Sequence, residues 1–484
     1  MHMNTTRSNG SADATGPVTS THRRWWALAF LVFGNLTVFT AVTTMNVAIP
    51  QAQEELGLSD STRSAVVTLY SLCFGTFMLV GGRLADVLGL RRCLCAGLIG
   101  FASASALGGL APSVEVLLAA RALQGTTGAL VAASALAMIS VLFSQGHERM
   151  RAFGIYGMVM GMGTAASFTV AGALVDSASW RWVMLINTAG ALLVMLGVVC
   201  SAPTRSPVPG ARLRLGSALL VTAGLALLVV GFDRAGAHGW GYGPVHILLA
   251  GAVLLLGVFI AIVRRARDPL IPPFLLGDRQ RLMALSAVFL IGIGVFAGMF
   301  VLTTFLQDVL GYSPLRTGAA FLPWGLAAVV AAQALGPIRA RVPVDVTLSV
   351  GMLMTATGIG SLTQLTPDSA YVTAILPAML LLGAGSTAVM VIGTSTATLD
   401  AGQHSGIAGA LVNASQQVGA ALGTALLTAI IAASMRSESP GGTSDEAVVN
   451  GYSTASTVGA ALITIGAIST VAMTRIRRRT RSPV

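Results

Sequence analysis

One cationic side chain in this 484-residue chain stands where hydrocarbon is expected. Arg121 lies inside an apolar stretch from 116 to 142. An ionisable group in such a place marks a substrate or ion pathway, because it is costly there unless it faces protein or water. Gln124 and Gly125 follow one helical turn later, and a glycine lets another helix backbone come close, which favours a buried setting. The alternative is that Arg121, about 7 to 8 Å from the nearer end of its stretch at a rise of about 1.5 Å per residue, snorkels toward Glu115 and the surface. A second group of charges follows the stretch 62–82: Asp86 with Arg83, Arg91 and Arg92. A carboxylate there can meet the positive end of a neighbouring helix, such as one opening near Ser405, and a contact of that kind latches one conformation and breaks in another. Its alternative is a solvated turn.

Uncharged polar residues recur in the other apolar stretches. Asn35, Thr43 and Asn46 lie in the first, Tyr70 in the second, Tyr156 and Met160 in the fifth, Thr304 and Gln307 in the ninth, and Asn413, Gln416 and Gln417 in the thirteenth. Each amide or hydroxyl in hydrocarbon must find a partner. Singly they read as helix-to-helix hydrogen bonds, together as the lining of a polar midplane cavity. The fifth stretch also carries Gly157, Gly161 and Gly172, spaced for close helix packing. Met158, Met160 and Met162 alternate with its glycines, as packing or as an adaptable ligand lining.

What is missing narrows the chemistry further. Apart from His246 and Asp345, which stand at the very ends of their stretches, no Asp, Glu or His falls inside an apolar stretch, although a proton-driven carrier commonly keeps a carboxylate there. All 29 basic residues are arginine, so a Walker A phosphate loop with its lysine is impossible. Cys93-x-Cys95 has no His or acidic neighbour, so no metal site is expected, and Cys73, Cys93, Cys95 and Cys200 read as unpaired thiols. Loops are too short for a soluble catalytic domain. The expectation is a protein that is not an enzyme, holds no cofactor and binds no nucleic acid.

The elements that carry these residues must be membrane helices. Hydrophobic residues make up 54% of the chain and charged ones 10%, against roughly a quarter charged in soluble domains. Apolar stretches long enough to cross the bilayer recur to the C-terminus, which excludes a cleaved signal followed by a soluble domain. They do not alternate, which excludes a membrane β-barrel. Fourteen such stretches are read: 25–48, 62–82, 93–111, 116–142, 152–175, 182–201, 215–232, 245–263, 282–307, 318–336, 345–364, 371–398, 405–433 and 453–474. With the N-terminus inside, the inner segments hold 23 Arg and 7 acids and the outer ones 5 Arg and 11 acids. That asymmetry predicts fourteen crossings with both termini cytoplasmic. The basic run RIRRRTR then flanks the last crossing and meets anionic lipid.

The chain also repeats itself. Gly82 and Gly336 follow corresponding stretches 254 residues apart, Gly125 and Gly383 are 258 apart, and Gly154 and Gly409 are 255 apart. The reading is an N-terminal tail without order (1–24), a six-helix half (25–201), a linker with inserted helices 7 and 8 (202–281), a second six-helix half (282–474) and a basic tail (475–484). Two related halves suit a carrier that rocks about a midplane site.

These motifs resemble the major facilitator superfamily, and within it the 14-helix drug:proton antiporters. GGRLADVLGLRR (81–92) is similar to the family's signature after helix 2, RALQGTTGA (121–129) to its helix-4 motif, and SWRWVMLIN (179–187) to the segment opening helix 6. LQDVLGYSPLRTGAAFLP (306–323) and SGIAGALVNASQQVGAALGTALL (405–427) are similar to later segments. The resemblance implies that Gly82, Asp86, Gly89 and Arg91 form a conformational latch and that Arg121 belongs to the coupling and substrate region. Two positions depart from the pattern. Ala41 stands five residues before Asn46, where the family usually has Asp, and Ser167-Phe168 stands where it usually has Gly-Pro. The first favours a neutral or anionic substrate, and the second removes a proline that would kink helix 5.

The expectation is an all-α polytopic membrane protein of the major facilitator fold, a monomer in the bacterial inner membrane. It would export small, largely apolar drug-like compounds by proton antiport, with the proton gradient as its energy source. A uniporter or importer without proton coupling is the alternative in transport, and a sensor or scaffold that kept the carrier fold is the alternative outside it. A fluorescent protein fused after Val484, which matures in the cytoplasm, is expected to fluoresce, whereas a reporter active only outside the membrane is expected to be silent at that position.

Overall fold

The computed structural model describes residues 21–143, 146–202, 215–265, 273–339, 341–366, 368–399, 405–438 and 445–480. Among them every regular element is helical. The order is α1 (Thr21–Leu56), α2 (Asp60–Leu88), α3 (Leu90–Gly109), α4 (Val114–Leu142), α5 (Gly146–Ser177), α6 (Trp180–Ser201), α7 (Leu215–His238), α8 (Gly243–Arg265), a single turn α9 (Pro273–Gly277), α10 (Arg279–Thr304), a short α11 (Pro314–Ala320), α12 (Leu322–Arg339), α13 (Val344–Ser361), α14 (Leu376–Thr398), α15 (Ser405–Glu438) and α16 (Asp445–Thr480). A π-helical turn at Phe305–Val309 continues α10, and another at Tyr371–Ile375 leads into α14.

Among the described residues, eleven helical segments are long and apolar enough to cross a membrane. α2, α5 and α7 are not counted with them; the apolar part of α7 is Leu219–Phe232. α1 starts earlier than the sequence suggests, so 21–24 are helical and not part of a tail. The reason is contact. Arg23 donates to the Cys200 carbonyl at 3.0 Å, Arg24 pairs with Glu148 at 3.5 Å, and Trp25 packs on Phe143. α16 likewise runs to Thr480, through the basic residues read as a tail.

α1 packs against α4, α5 and α6, and α4 against α2 and α3. In the later part of the chain α10 packs against α14, α15 and α16, and α14 against α12 and α13. The two groups meet where α2 lies on α15, where α5 lies on α11 and α12, and where α1 touches α10. The α7–α8 hairpin lies over one of these seams, with Leu225 and Val229 of α7 packed against Leu72 of α2 and Ala421 and Ala425 of α15.

The internal repeat is visible in the packing itself. A Cβ at Gly125 would strike the Tyr70 carbonyl oxygen and stand 3.1 Å from Cys73 Cβ; one at Gly383 would strike the Trp324 carbonyl oxygen and stand 3.2 Å from Ala327 Cβ. Tyr70 and Trp324, like Cys73 and Ala327, are 254 residues apart, the spacing of Gly82 and Gly336. The same glycine-on-backbone contact therefore joins α4 to α2 and α14 to α12. Between α2 and α3, Gly89 turns the chain at φ 88°, a conformation L side chains rarely adopt.

Gly125→Val and Gly383→Val are each expected to destabilise the folded protein by about 1–3 kcal/mol, the usual range for overpacking. Gly257→Ala on α8, where nothing lies within 4 Å of the added Cβ, is the matched control. Apparent melting temperatures in detergent read both.

Candidate functional site

Arg121 is fully buried, so the snorkelling alternative does not hold. α4 holds it against α1 and α2. Its Nε donates to the Val66 carbonyl at 3.0 Å, and its Nη1 donates to the Ala41 carbonyl at 3.2 Å and to Gln124 Oε1 at 2.6 Å. Its Cζ lies 4.4 Å from the centre of the Tyr70 ring, a placement that stabilises a desolvated cation. Among the described residues Nη2 has no hydrogen-bond partner. Gln124 is held in turn, its Nε2 donating to Ser105 Oγ of α3 at 2.7 Å. Tyr70 donates to the Val38 carbonyl at 2.6 Å and stacks on Phe74. The surroundings of Arg121 are thus carbonyls, an amide and an aromatic face. Ala41, where the resemblance leads one to expect an acid, contributes its carbonyl.

The second departure is also occupied by a contact. Ser167 Oγ lies 3.3 Å from Thr43 Oγ1 of α1, and Phe168 stacks on Phe321 with centroids 4.4 Å apart. α5 runs unbroken from Gly146 to Ser177 without the proline that would bend it. Gly172 lies against Pro314 and Leu315, which lets α5 and α11 touch backbone to backbone. Gly157, Gly161 and Met160 lie on α5. The packing around Gly157 and Gly161 is outside the described residues; Met160 is half-buried.

The polar residues read as cavity lining divide into two sets. Asn35, Thr43 and Thr304 donate to carbonyls of their own helices, the ordinary use of such groups in hydrocarbon. Tyr156, Asn413 and Gln416 are half-buried. Gln307 reaches across to the Val47 carbonyl of α1 at 3.3 Å. Asn46 and Gln417 are 3% and 1% exposed, and among the described residues neither end of either amide has a hydrogen-bond partner. With Arg121 Nη2 they are buried polar groups left with capacity for a ligand or water.

The signature after α2 is placed as follows. Asp86 lies on α2, and its side chain is outside the described residues. Arg91 Nη2 donates to the Val199 carbonyl of α6 at 2.6 Å, a partner in its own half. Arg83 is half-buried, Arg92 is exposed, and nothing lies within 4 Å of a Cβ built on Gly82.

Sequence reasoning passed over three features. Ser105 sits in an unremarkable apolar run. Arg63 and Asp308, 245 residues apart, form an ion pair at 3.0 Å. Glu55 accepts from Trp180 Nε1 at 2.7 Å and from Arg181 Nη2 at 2.7 Å, while Arg181 Nη1 donates to the Ala111 carbonyl, tying α1, α3 and α6 at one end. Only the last left a trace in sequence, in the SWRWVMLIN segment.

A helical body of this kind, with a buried arginine at a junction of membrane-length helices, is that of a polytopic membrane protein. The backbone superposes on a crystal structure of a POT family transporter in complex with a thioalcohol-conjugated peptide, with TM-score 0.67 over 93% of this chain and 95% of that one at 13% identity. The Major Facilitator Superfamily profile matches residues 31–424. The chain belongs to that superfamily. It is 42% identical over 417 residues to puromycin resistance protein pur8 of Streptomyces alboniger, covering 84% of this chain and 82% of that protein. It is 36% identical over 428 residues to cephamycin export protein CmcT of Amycolatopsis lactamdurans, covering 87% of each.

The carbonyls that Arg121 meets already serve their own helices, so its charge is carried at a cost and not for stability. Arg121→Met is accordingly expected to melt within about 1 kcal/mol of the unmodified protein, while transport falls at least tenfold. Melting in detergent and efflux from loaded cells separate the two effects.

Proposed function

We propose that this protein exports small, largely apolar compounds of antibiotic type across the bacterial inner membrane, by alternating access between its two halves and in exchange for protons. The observation that carries this reading is the similarity to a resistance protein and an export protein over more than four-fifths of the chain. The geometry supports it. A buried guanidinium with a free Nη2, and the unpaired amides of Asn46 and Gln417, supply hydrogen bonds for a cargo in otherwise apolar surroundings. With Ala41 giving a carbonyl where an acid is usual, the cargo is neutral or anionic at the atoms that meet Arg121. In this reading the chain is a monomeric carrier and not an enzyme. Both termini are cytoplasmic, partners are lipid, cargo and protons, and no cofactor takes part.

A second reading rests on the same carbonyl. Without an acid in the apolar stretches away from their ends, the chain acts as a uniporter or importer and moves its cargo down a gradient with no proton exchange.

Everted vesicles with a pH-gradient dye decide between them. A neutral or anionic drug is expected to dissipate the gradient with the unmodified protein and not with Arg121→Ala. Movement of labelled drug without any change in the gradient would overturn proton exchange and leave the uniporter.

A further inference from the structure

Besides the seam of α2 and α15, several contacts between the halves lie at the end where the charge asymmetry places the cell exterior. Two connections meet there. One is the α1–α2 turn, with Gly57 at φ 66°; the other is the π-helical turn Phe305–Val309, followed by Gly311 at φ 63°. A π turn adds a residue to the helical circuit and is a common device at functional positions. Here it carries neighbouring side chains to two different helices. Gln307 donates to the Val47 carbonyl of α1, and Asp308 accepts from Arg63 of α2 at 3.0 Å. Arg63 also lies over the Phe300 ring, 5.7 Å from its centre. Its side chain is 11% exposed and that of Asp308 39%. Beside this pair α5 and α11 touch at the same end. Gly318 lies against the Phe168 carbonyl, and Thr169 Oγ1 donates to the Gly318 carbonyl at 3.4 Å.

Toward the opposite ends, among the described residues, a Cβ built on Gly82, Gly154 or Gly336 meets nothing within 4 Å, and one on Gly409 of α15 meets Leu136 of α4 at 3.5 Å.

We infer that Arg63 and Asp308 are gating residues: their ion pair holds the halves together at the outer end in this conformation, and its release opens the interior outward. This rests on the alternating-access reading above. The division of labour follows from the chemistry. Glycine-to-backbone contacts between α5 and α11 give fit but discriminate little among small displacements. A partly exposed ion pair adds a directional contact that water can replace when the halves part. Such a pair contributes about 1 kcal/mol, a population shift of roughly fivefold, enough to bias a two-state carrier without locking it.

The test reads opening directly and does not depend on any drug. Ser167→Cys places a thiol on α5, ten residues in from the helix end at Ser177 and facing Thr43 of α1. Intact cells are treated with a membrane-impermeant maleimide, and the chain without this substitution sets the background from Cys73, Cys93, Cys95 and Cys200. Labelling of Ser167→Cys is expected to rise about fivefold when Asp308→Arg is added. It is expected to fall back toward its starting rate in the exchanged pair Arg63→Asp with Asp308→Arg. Labelling unchanged by Asp308→Arg, or an exchanged pair as reactive as the single variant, overturns the gate. Should Asp308→Arg fail to accumulate, Asp308→Asn keeps the volume, removes the charge and is read by the same criterion. Drug efflux in parallel separates the two ideas. Labelling that follows the pair without export of any compound refutes the cargo and keeps the gate; export with labelling indifferent to the pair refutes the gate alone.

Discussion

A helix that crosses hydrocarbon has already spent its backbone hydrogen bonds on itself, and lipid tails offer its side chains the same apolar company as another helix would. What holds two such helices together is closeness of fit, with a few polar contacts to set direction. In this protein the fit comes from glycine laid on carbonyl. Gly125 on Tyr70 and Gly383 on Trp324 bring α4 onto α2 and α14 onto α12. Gly292 against the Gln416 carbonyl and Gly419 against the Phe289 carbonyl do the same for α10 and α15. These contacts fix distances to within a methyl group, and the polar features sit where they do because of them. The Gly125 contact draws Tyr70 under Arg121, and the Gly172 contact sets Phe168 over Phe321.

The polar contacts are of two sorts. The bonds from Arg121 to its carbonyls lie inside one half, are buried and carry charge on one side only. They cost desolvation to make and more to break, which suits parts that move as one body. The contact between Arg63 and Asp308 is partly open to water, where a charge that loses its partner gains hydration. The buried guanidinium and the partly open seam pair thus differ in where each sits in the dielectric.

Much of the fold was legible because it is written in composition and spacing. Continuous apolar runs can only be membrane helices, and one of the glycine landmarks, Gly125 with Gly383, reappears as a pair of matching contacts. Arg121 announced itself as a charge in an apolar stretch. Its setting was harder to read. That the Ala41 carbonyl would accept from Nη1 depends on helix rotation, which periodicity in uniformly apolar helices does not record. The first helix begins earlier than read, at Thr21, for a related reason: hydropathy marks where hydrocarbon stops, while a helix continues as long as partners such as the Cys200 carbonyl hold it. The Arg63–Asp308 pair left no local signal, since both residues look like ordinary loop charges until the chain folds.

The α7–α8 hairpin makes the two sides of the molecule unequal. α7 lies across the seam of α2 and α15, while the seam of α5 and α12 has no such cover among the described residues. A compound dissolved in the bilayer therefore finds the way between the halves roofed on one flank and must pass α5 and α12 on the other. Where the membrane itself is the reservoir, this asymmetry among the described residues makes α5 and α12 the helices that a lipid-borne molecule meets first on the uncovered flank.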